Sequence, residues 1–311
     1  MQKFLSCDWG TSSFRLRLVD ALSGEVLDEV KSGQGIVDTY KDWRAANKPK
    51  SERTAFFKAV LSRAIHKMEK VPESGLPIIL SGMASSSVGI QELPYRNFPF
   101  TWDALELPVN KFDADEQLKH PLYLISGFRT DTDIMRGEET MLLGCEINQE
   151  DHYTLIFPGT HAKHVFVKKG IAFDFKTYIT GEIFNLLSQK SILSDSVMKG
   201  EDAESFALGV RDAVNSNLLH KLFRVRTRQV LDNFPPISNY QYLSGLLIGT
   251  ELKELGGTTA SIWVVSEEPL TGAYLFALNC LDPNVKINTL NAREALINGH
   301  CKIVTQFLHT T

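Results

Sequence analysis

At 311 residues, with 43% hydrophobic and 23% charged side chains, the chain is long for a single core and fits two domains of ordinary size. Its 33 basic and 37 acidic residues leave a formal net charge of −4 with no strong basic block, which disfavours nucleic acid and membrane surfaces as partners. No apolar run approaches the roughly eighteen residues of a membrane span, the N-terminus carries no signal-peptide core, and the cysteines at 7, 145, 280 and 301 form no C-x-x-C pair, so a soluble cytoplasmic protein with reduced thiols is expected.

In chain order, Phe4 to Cys7 reads as a strand running into Asp8-Trp9-Gly10-Thr11-Ser12-Ser13, followed by strands at Phe14–Val19 and Glu25–Val30. Ser32-Gly33-Gln34-Gly35 reads as a turn-rich, exposed connection. Phe56, Phe57, Val60, Leu61, Ala64, Ile65 and Met68 then form a helical stripe across residues 52–70. Pro77–Leu80 is a short buried strand that opens into the small polar loop Ser81–Ser87, the kind of place where α/β proteins bind ligands. Residues 96–120 are irregular, and Leu122–Ser126 is another strand. Arg136-Gly137-Glu138-Glu139-Thr140 opens a helix, and polarity rises around 148–151, which divides the chain into expected domains 1–149 and 150–311.

The second half begins with the same grammar. An apolar run, Tyr153–Phe157, ends in Pro158-Gly159-Thr160; strands follow at His164–Val167 and Ile171–Tyr178, and Thr180 or Gly181 caps a helix. Helices are expected near 182–191, 201–215, 218–233, 238–255, 270–281 and 292–308, with strands at 262–265 and 285–287. Two hairpins with Gly-Thr turns at matching places suggest a duplicated fold holding one ligand between its copies.

The chain has no Walker A loop, kinase catalytic loop, G-x-S-x-G or Rossmann glycine triplet. Phosphate binding therefore falls to the hairpin turns, whose converging backbone N–H groups form an anion concavity. Asp8, just before one turn, suits the waters of Mg²⁺. His161 and His164 on one strand face opposite sides and cannot share a metal. Glu138 and Glu139 are either favourable acids at a helix N-terminus or, beside Arg136, a proton acceptor for a substrate hydroxyl.

These pieces resemble the acetate-and-sugar-kinase, heat-shock-chaperone and actin superfamily, and within it the 2-dehydro-3-deoxygalactonokinases. The matching residues are Asp8-Trp9-Gly10 with Arg15, Ser81-Gly82-Met83 with Gly89 and Pro94-Tyr95, Met135–Thr140, Pro158–Lys163, Thr180-Gly181-Glu182 and Leu243–Gly249. The resemblance implies an α/β protein of two ribonuclease-H-like domains with an interdomain nucleotide cleft, the actin-like ATPase fold. It implies ATP- and Mg²⁺-dependent phosphorylation of the 6-hydroxyl of 2-dehydro-3-deoxy-D-galactonate. On that basis Asp8 holds the metal and Glu138 is the base. Gly10, Thr11, Ser12, Ser13, Gly159, Thr160, Gly245, Ser266 and Glu267 meet the nucleotide, while Gly35, Gly82, Met83, Arg136, His161 and Lys163 meet the sugar acid. Glu267-Glu268 stands where the family tends to have glycine beside the nucleoside, and Glu267 is expected to obstruct ATP there. A non-catalytic nucleotide- or sugar-binding relative, or a kinase for another acidic or amino sugar, stays open as an alternative; a homodimer is the oligomer considered.

Overall fold

The computed structural model describes residues 3–70, 72–103, 107–147, 152–258 and 260–308. The expected boundary at 148–151 lies outside the described residues. By its internal contacts the chain forms two units, Met1–Gln149 with Gly170–Asp174 and Ala292–Thr311, and Glu150–Lys169 with Phe175–Asn291.

In the first unit β1 (Lys3–Trp9), β2 (Phe14–Asp20) and β3 (Val26–Ser32) form an antiparallel meander. Helix α1 (Ile36–Ala45) follows, then α2 (Arg53–Ile65) and β4 (Ile78–Gly82). Next come β5 (Arg96–Asn97), β6 (Val109–Phe112), β7 (Leu122–Ile125), β8 (Phe128–Arg129), β9 (Ile134–Met135) and α3 (Glu138–Gly144). The main sheet has the order β3-β2-β1-β4-β7-β6, with β1, β4 and β7 parallel. A small sheet, β5-β8-β9, stands apart from it. Strand β1 is flanked on both edges, so Phe4, Leu5, Cys7 and Trp9 are all fully buried, whereas edge strand β3 keeps a half-exposed, charged face. Trp9 anchors the core against Phe14 and Phe57, with ring centroids 5.0 and 5.6 Å away.

The five-stranded sheet repeats the plan. Strands β10 (Tyr153–Phe157), β11 (Ala162–Lys168) and β12 (Ile171–Tyr178) lead into α4 (Thr180–Lys190), α5 (Ala203–Val214), α6 (Leu218–Asp232) and α7 (Pro236–Leu252). Strand β13 (Ser261–Ser266), α8 (Leu270–Leu281) and β14 (Ile287–Asn291) complete the sheet, ordered β12-β11-β10-β13-β14 with β10, β13 and β14 parallel. The β11–β12 turn carries Lys169 and Gly170 at φ 50° and 71°, the left-handed pair that suits a two-residue hairpin. Helix α7 is buried nearly all round and lies against α5, while α6 buries only Val225. Both sheets thus run third, second, first, then two parallel strands, the ribonuclease-H-like order.

Three expectations need correction. Ser32–Gly35 is not simply an exposed loop: Gly35 is buried and caps α1, whose inner residues Ile36, Thr39 and Trp43 are spaced for a helix. The irregular stretch 96–120 contributes strands β5 and β6. The closing helix α9 (Ala292–Leu308), expected with the C-terminal half, packs on α3 in the first unit. There the backbones nearly touch, since a Cβ at Gly144 would sit 1.8 Å from the Ala295 carbonyl oxygen and one at Gly299 would sit 2.0 Å from that of Thr140.

Candidate active site

Each unit ends its first strand in a polar turn and seats that turn on the helix that follows its third strand. In the first, Gly10 N–H donates to the Ser13 carbonyl, closing the turn, and Thr11 and Ser12 are exposed at its tip. The α1 amides of Ile36 and Val37 donate back to the carbonyls of Gly10 and Thr11. Gly35 makes this possible, because a Cβ there would lie 2.2 Å from the Thr11 oxygen. In the second, Glu182 N–H donates to the Thr160 carbonyl, and a Cβ at Gly181 would lie 2.4 Å from the Gly159 oxygen. Gly35, expected on the sugar, is therefore the packing counterpart of Gly181 beneath a turn.

Beside the first turn, β1 and β4 run parallel with Asp8 opposite Ser81. Gly82 has φ 91°, and a Cβ there would lie 2.7 Å from the Trp9 oxygen and 3.5 Å from Asp8 Oδ1. Gly137, at φ 106°, stands against it, its own Cβ position 3.4 Å from Gly82 Cα. Two left-handed glycines at one crossing keep side chains out of the space over Asp8. Met83, the next residue, opens a 3-10 turn, Met83–Ser85.

Asp8 is held by Arg15, whose Nη1 donates to Oδ2 over 3.1 Å. Burial raises the Asp8 carboxyl above its ordinary value against the pull of Arg15 and Arg17, and the nearby charge of Glu138 adds to the rise. Glu138 and Glu139 differ sharply. Glu138 is half-buried, its Oε2 accepting from Arg136 N–H at 3.1 Å. Glu139 points into the core at 1% exposure, where its Oε2 accepts from Gly137 N–H at 2.7 Å. Burial, then the charge of Glu138, pushes Glu139 up to about 7. Glu138 alone of the two acids faces outward near Asp8.

Arg136, expected to read the substrate carboxylate, is already occupied. Its Nη1 donates to the Ser85 carbonyl at 2.6 Å, to Ser85 Oγ and to Ser126 Oγ at 3.2 Å, and its Nε donates to the Tyr95 hydroxyl at 3.4 Å. The guanidinium also lies over the Tyr95 ring, 4.2 Å from its centroid. It therefore pins the loop after Gly82, and few of its five donors are left for a ligand.

In the second unit Gly159 has no atom within 4 Å of its Cβ position, so it borders open space, and Thr160 and His161 are exposed. His161 Nε2 lies 2.5 Å from Glu182 Oε2. Lys163, expected on the sugar, is only 4% exposed and donates to the His161 carbonyl at 2.9 Å. It braces the turn from within. A cavity of about 880 Å³ opens beside Gly159, Thr180 and Gly181, walled by Phe184, Phe206, Tyr240, Leu247, Ile248 and Phe276, with Glu201, Asp202 and Ser244 among its polar groups.

The late nucleotide residues fall elsewhere than expected. Gly245 does not line this cavity; it lets α5 and α7 touch, a Cβ there meeting the Phe206 oxygen at 2.0 Å. Ser266 pairs with Thr271 at 2.7 Å at the foot of α8. Glu267 and Glu268 are exposed and absent from the lining: the Glu267 carbonyl accepts from Leu270 N–H and the Glu268 carboxylate from Gly272 N–H. Glu267 with its carbonyl and Glu268 with its carboxylate thus satisfy amides of the first turn of α8.

Sequence reasoning missed Glu251. This buried acid on α7 meets His164 Nε2 at 2.9 Å and accepts from Tyr274 OH at 2.8 Å and from the Thr180 hydroxyl. The apolar run around Glu251 was the available signal, since a lone acid inside a buried helix needs donors. Among the described residues no group of three or more His, Cys, Asp or Glu is placed to hold a metal, and no helix is long and apolar enough to cross a membrane.

Comparison with known proteins agrees with this architecture. A Rhizobium meliloti (strain 1021) protein named as a probable 2-dehydro-3-deoxygalactonokinase is 29% identical over 310 residues, covering 95% of this chain and 94% of that one. The Escherichia coli (strain K12) 2-dehydro-3-deoxygalactonokinase is 29% identical over 222 residues, 68% of this chain and 74% of its own length. A crystal structure of a Sinorhizobium meliloti protein assigned as a 2-dehydro-3-deoxygalactonokinase superposes with a TM-score of 0.79 at 26% identity, covering 98% of this chain and 97% of that one. The family model for 2-keto-3-deoxy-galactonokinase matches residues 8–303, a span that takes in both turns, the Gly82–Gly137 crossing and the α7 helix, and the chain belongs to that family.

Proposed function

We propose that this carbohydrate kinase transfers the γ-phosphoryl group of ATP to the 6-hydroxyl of 2-dehydro-3-deoxy-D-galactonate. The observation that carries the reading is the separation of the two adjacent acids: Glu138 stands outward within electrostatic reach of Asp8, while Glu139 is withdrawn into the core. Glu138 accepts the proton of the 6-hydroxyl as that oxygen bonds to phosphorus; the bond from phosphorus to the bridging oxygen breaks and ADP leaves.

Mg²⁺ fits the first unit as a cation held by one carboxylate, water and nucleotide phosphates. Asp8 offers Oδ1 over the glycine crossing while Arg15 holds Oδ2, and no all-protein cage is needed. When bound, the ion would screen phosphate charge. In the first unit Thr11–Ser13 would supply backbone N–H groups and hydroxyls to phosphate oxygens, the Gly10 N–H being spent on closing the turn; in the second unit Gly159–Thr160 would do the same, Gly159 bordering open space. The apolar cavity of the second unit takes the nucleoside, with aromatic walls suited to a purine face. Arg136 acts through the loop it pins, shaping the acceptor site around Gly82 and Met83. The four free thiols support a reducing, cytoplasmic setting.

ATP consumption across a panel of sugar acids and neutral sugars tests the reading. Turnover is expected with 2-dehydro-3-deoxy-D-galactonate, with Glu138→Gln lowering kcat by roughly 10²–10⁴ at unchanged ATP affinity. Glu139→Gln should remain active. ATP binding without turnover on any sugar would support the non-catalytic alternative, and turnover confined to another sugar would reassign the acceptor. A dead Glu139→Gln beside an active Glu138→Gln would move the base by one residue.

A further inference from the structure

We infer that Glu251 is a positioning residue for nucleotide binding: its buried carboxylate ties the start of α4 to Tyr274 of α8 and so sets the wall of the second-unit cavity. The inference rests on reading that cavity as the nucleoside site.

Glu251 is costly where it stands. It is 2% exposed and lies in the last turn of α7, where the helix dipole disfavours an anion and burial strips its hydration. Replacing such a buried polar cluster with packed apolar groups is often neutral or stabilising, so stability alone is a weak reason for it. What it joins is informative. One oxygen takes both the Thr180 and Tyr274 hydroxyls, and the other faces His164 Nε2. Thr180 and Tyr274 line the cavity, while Glu251 does not and acts only through them.

Thr180 is the first residue of α4, and its neighbours Gly181 and Glu182 seat the Gly159–Thr160 turn. The carboxylate is thus one residue removed from the proposed phosphate turn on one side and in direct contact with the nucleoside wall on the other. Burial and the Glu251 charge hold the Tyr274 phenol well above its ordinary value, which keeps it a donor. His164 completes the cluster with its ring 4.5 Å from that of Tyr178; among the described residues its Nδ1 has no partner.

Calorimetric titration with ATP, together with KM for ATP and for the sugar acid, tests this in Glu251→Gln, Thr180→Val, Thr180→Ser, Tyr274→Phe and the Glu251→Gln/Thr180→Val double variant. Loss of a hydrogen bond that sets geometry should weaken ATP about tenfold in Glu251→Gln, with the sugar-acid KM moving less than about twofold. Thr180→Val should do the same alone, Thr180→Ser should restore binding, and the double variant should be no worse than about twofold beyond either single one. Unchanged ATP affinity in Glu251→Gln, equal rises in both KM values, or multiplying effects in the double variant would overturn the inference. If Glu251→Gln does not fold, Tyr274→Phe decides: an ATP-selective loss of about threefold supports the role, and none refutes it. A wild-type protein that does not bind ATP would instead remove the reading of the cavity itself.

Discussion

Two buried groups of the first unit titrate in overlapping ranges with opposite effects on stability, and Glu139→Gln should expose the one it leaves behind. Burial, then the charge of Glu138, raises Glu139 from 4.5 to about 7, so the folded chain holds that proton more tightly than the unfolded chain. Its contribution is full below about pH 4.5 and is lost as pH rises towards 7. His300 behaves oppositely. Enclosed with Ser6 at 2.8 Å and Ser81 at 3.1 Å, it is lowered from 6.5 to about 3, by burial first and then by Arg17. Its contribution is full above pH 6.5 and is lost as pH falls towards 3. One proton corresponds to about 1.4 kcal/mol per pH unit, so between pH 4.5 and 6.5 each group moves stability by about 2 kcal/mol, and in the wild type they nearly cancel. In Glu139→Gln, stability should therefore rise by about 2 kcal/mol more than in the wild type over that interval. His300→Asn should show the reverse slope. Urea unfolding followed by circular dichroism at pH 4.5, 5.5 and 6.5 measures both, and groups common to the proteins drop out of the difference. Wild-type and Glu139→Gln profiles that run parallel would refute the burial argument for Glu139.

Gly159→Ala and Gly181→Ala should separate ligand space from packing space. The first meets nothing and should alter stability by less than about 0.5 kcal/mol while weakening ATP binding; the second meets the Gly159 oxygen and should cost about 1–3 kcal/mol in a denaturant titration. Arg136→Ala leaves the Ser85 carbonyl and the Tyr95 face without their cation and should destabilise by about 2–3 kcal/mol, raising KM for acidic and neutral acceptors alike, as comparison of the two substrates will show. Glu267→Gly should leave ATP affinity unchanged by calorimetry, because the side chain lies outside the cavity; tighter binding would return it to the nucleoside.

The longer strands, both Gly-Thr turns and most helices of this protein were legible in the sequence, because alternation, helical stripes and small polar turns are local signals, whereas the short strands β5, β6, β8 and β9 were not. The repeated hairpin grammar pointed to a duplicated fold, and the two sheets share one strand order. Helix α1 was lost because its buried face, Ile36, Thr39 and Trp43, is short and contains a polar residue. The motif at 135–140 drew attention to Glu138 and Glu139 but left them equivalent; adjacent helical residues point about 100° apart, and only packing decides which of them is withdrawn.

Long-range juxtaposition accounts for the rest. Whether a glycine frees space for a ligand or admits a neighbouring backbone depends on what stands opposite it, which separates Gly159 from Gly35, Gly181 and Gly245. Whether a cation is available to a substrate depends on the oxygens already around it. Arg136 spends its donors on Ser85, 51 residues away, and Lys163 folds back on the carbonyl of His161. Glu251 meets His164 across 87 residues of sequence, with Thr180 and Tyr274 arriving from two other helices. Sequence alone determined the local elements and the residue types available for chemistry. Tertiary structure decided which of those residues are exposed and which are consumed in holding the elements together, because burial and hydrogen-bond partners come from parts of the chain that are distant in sequence.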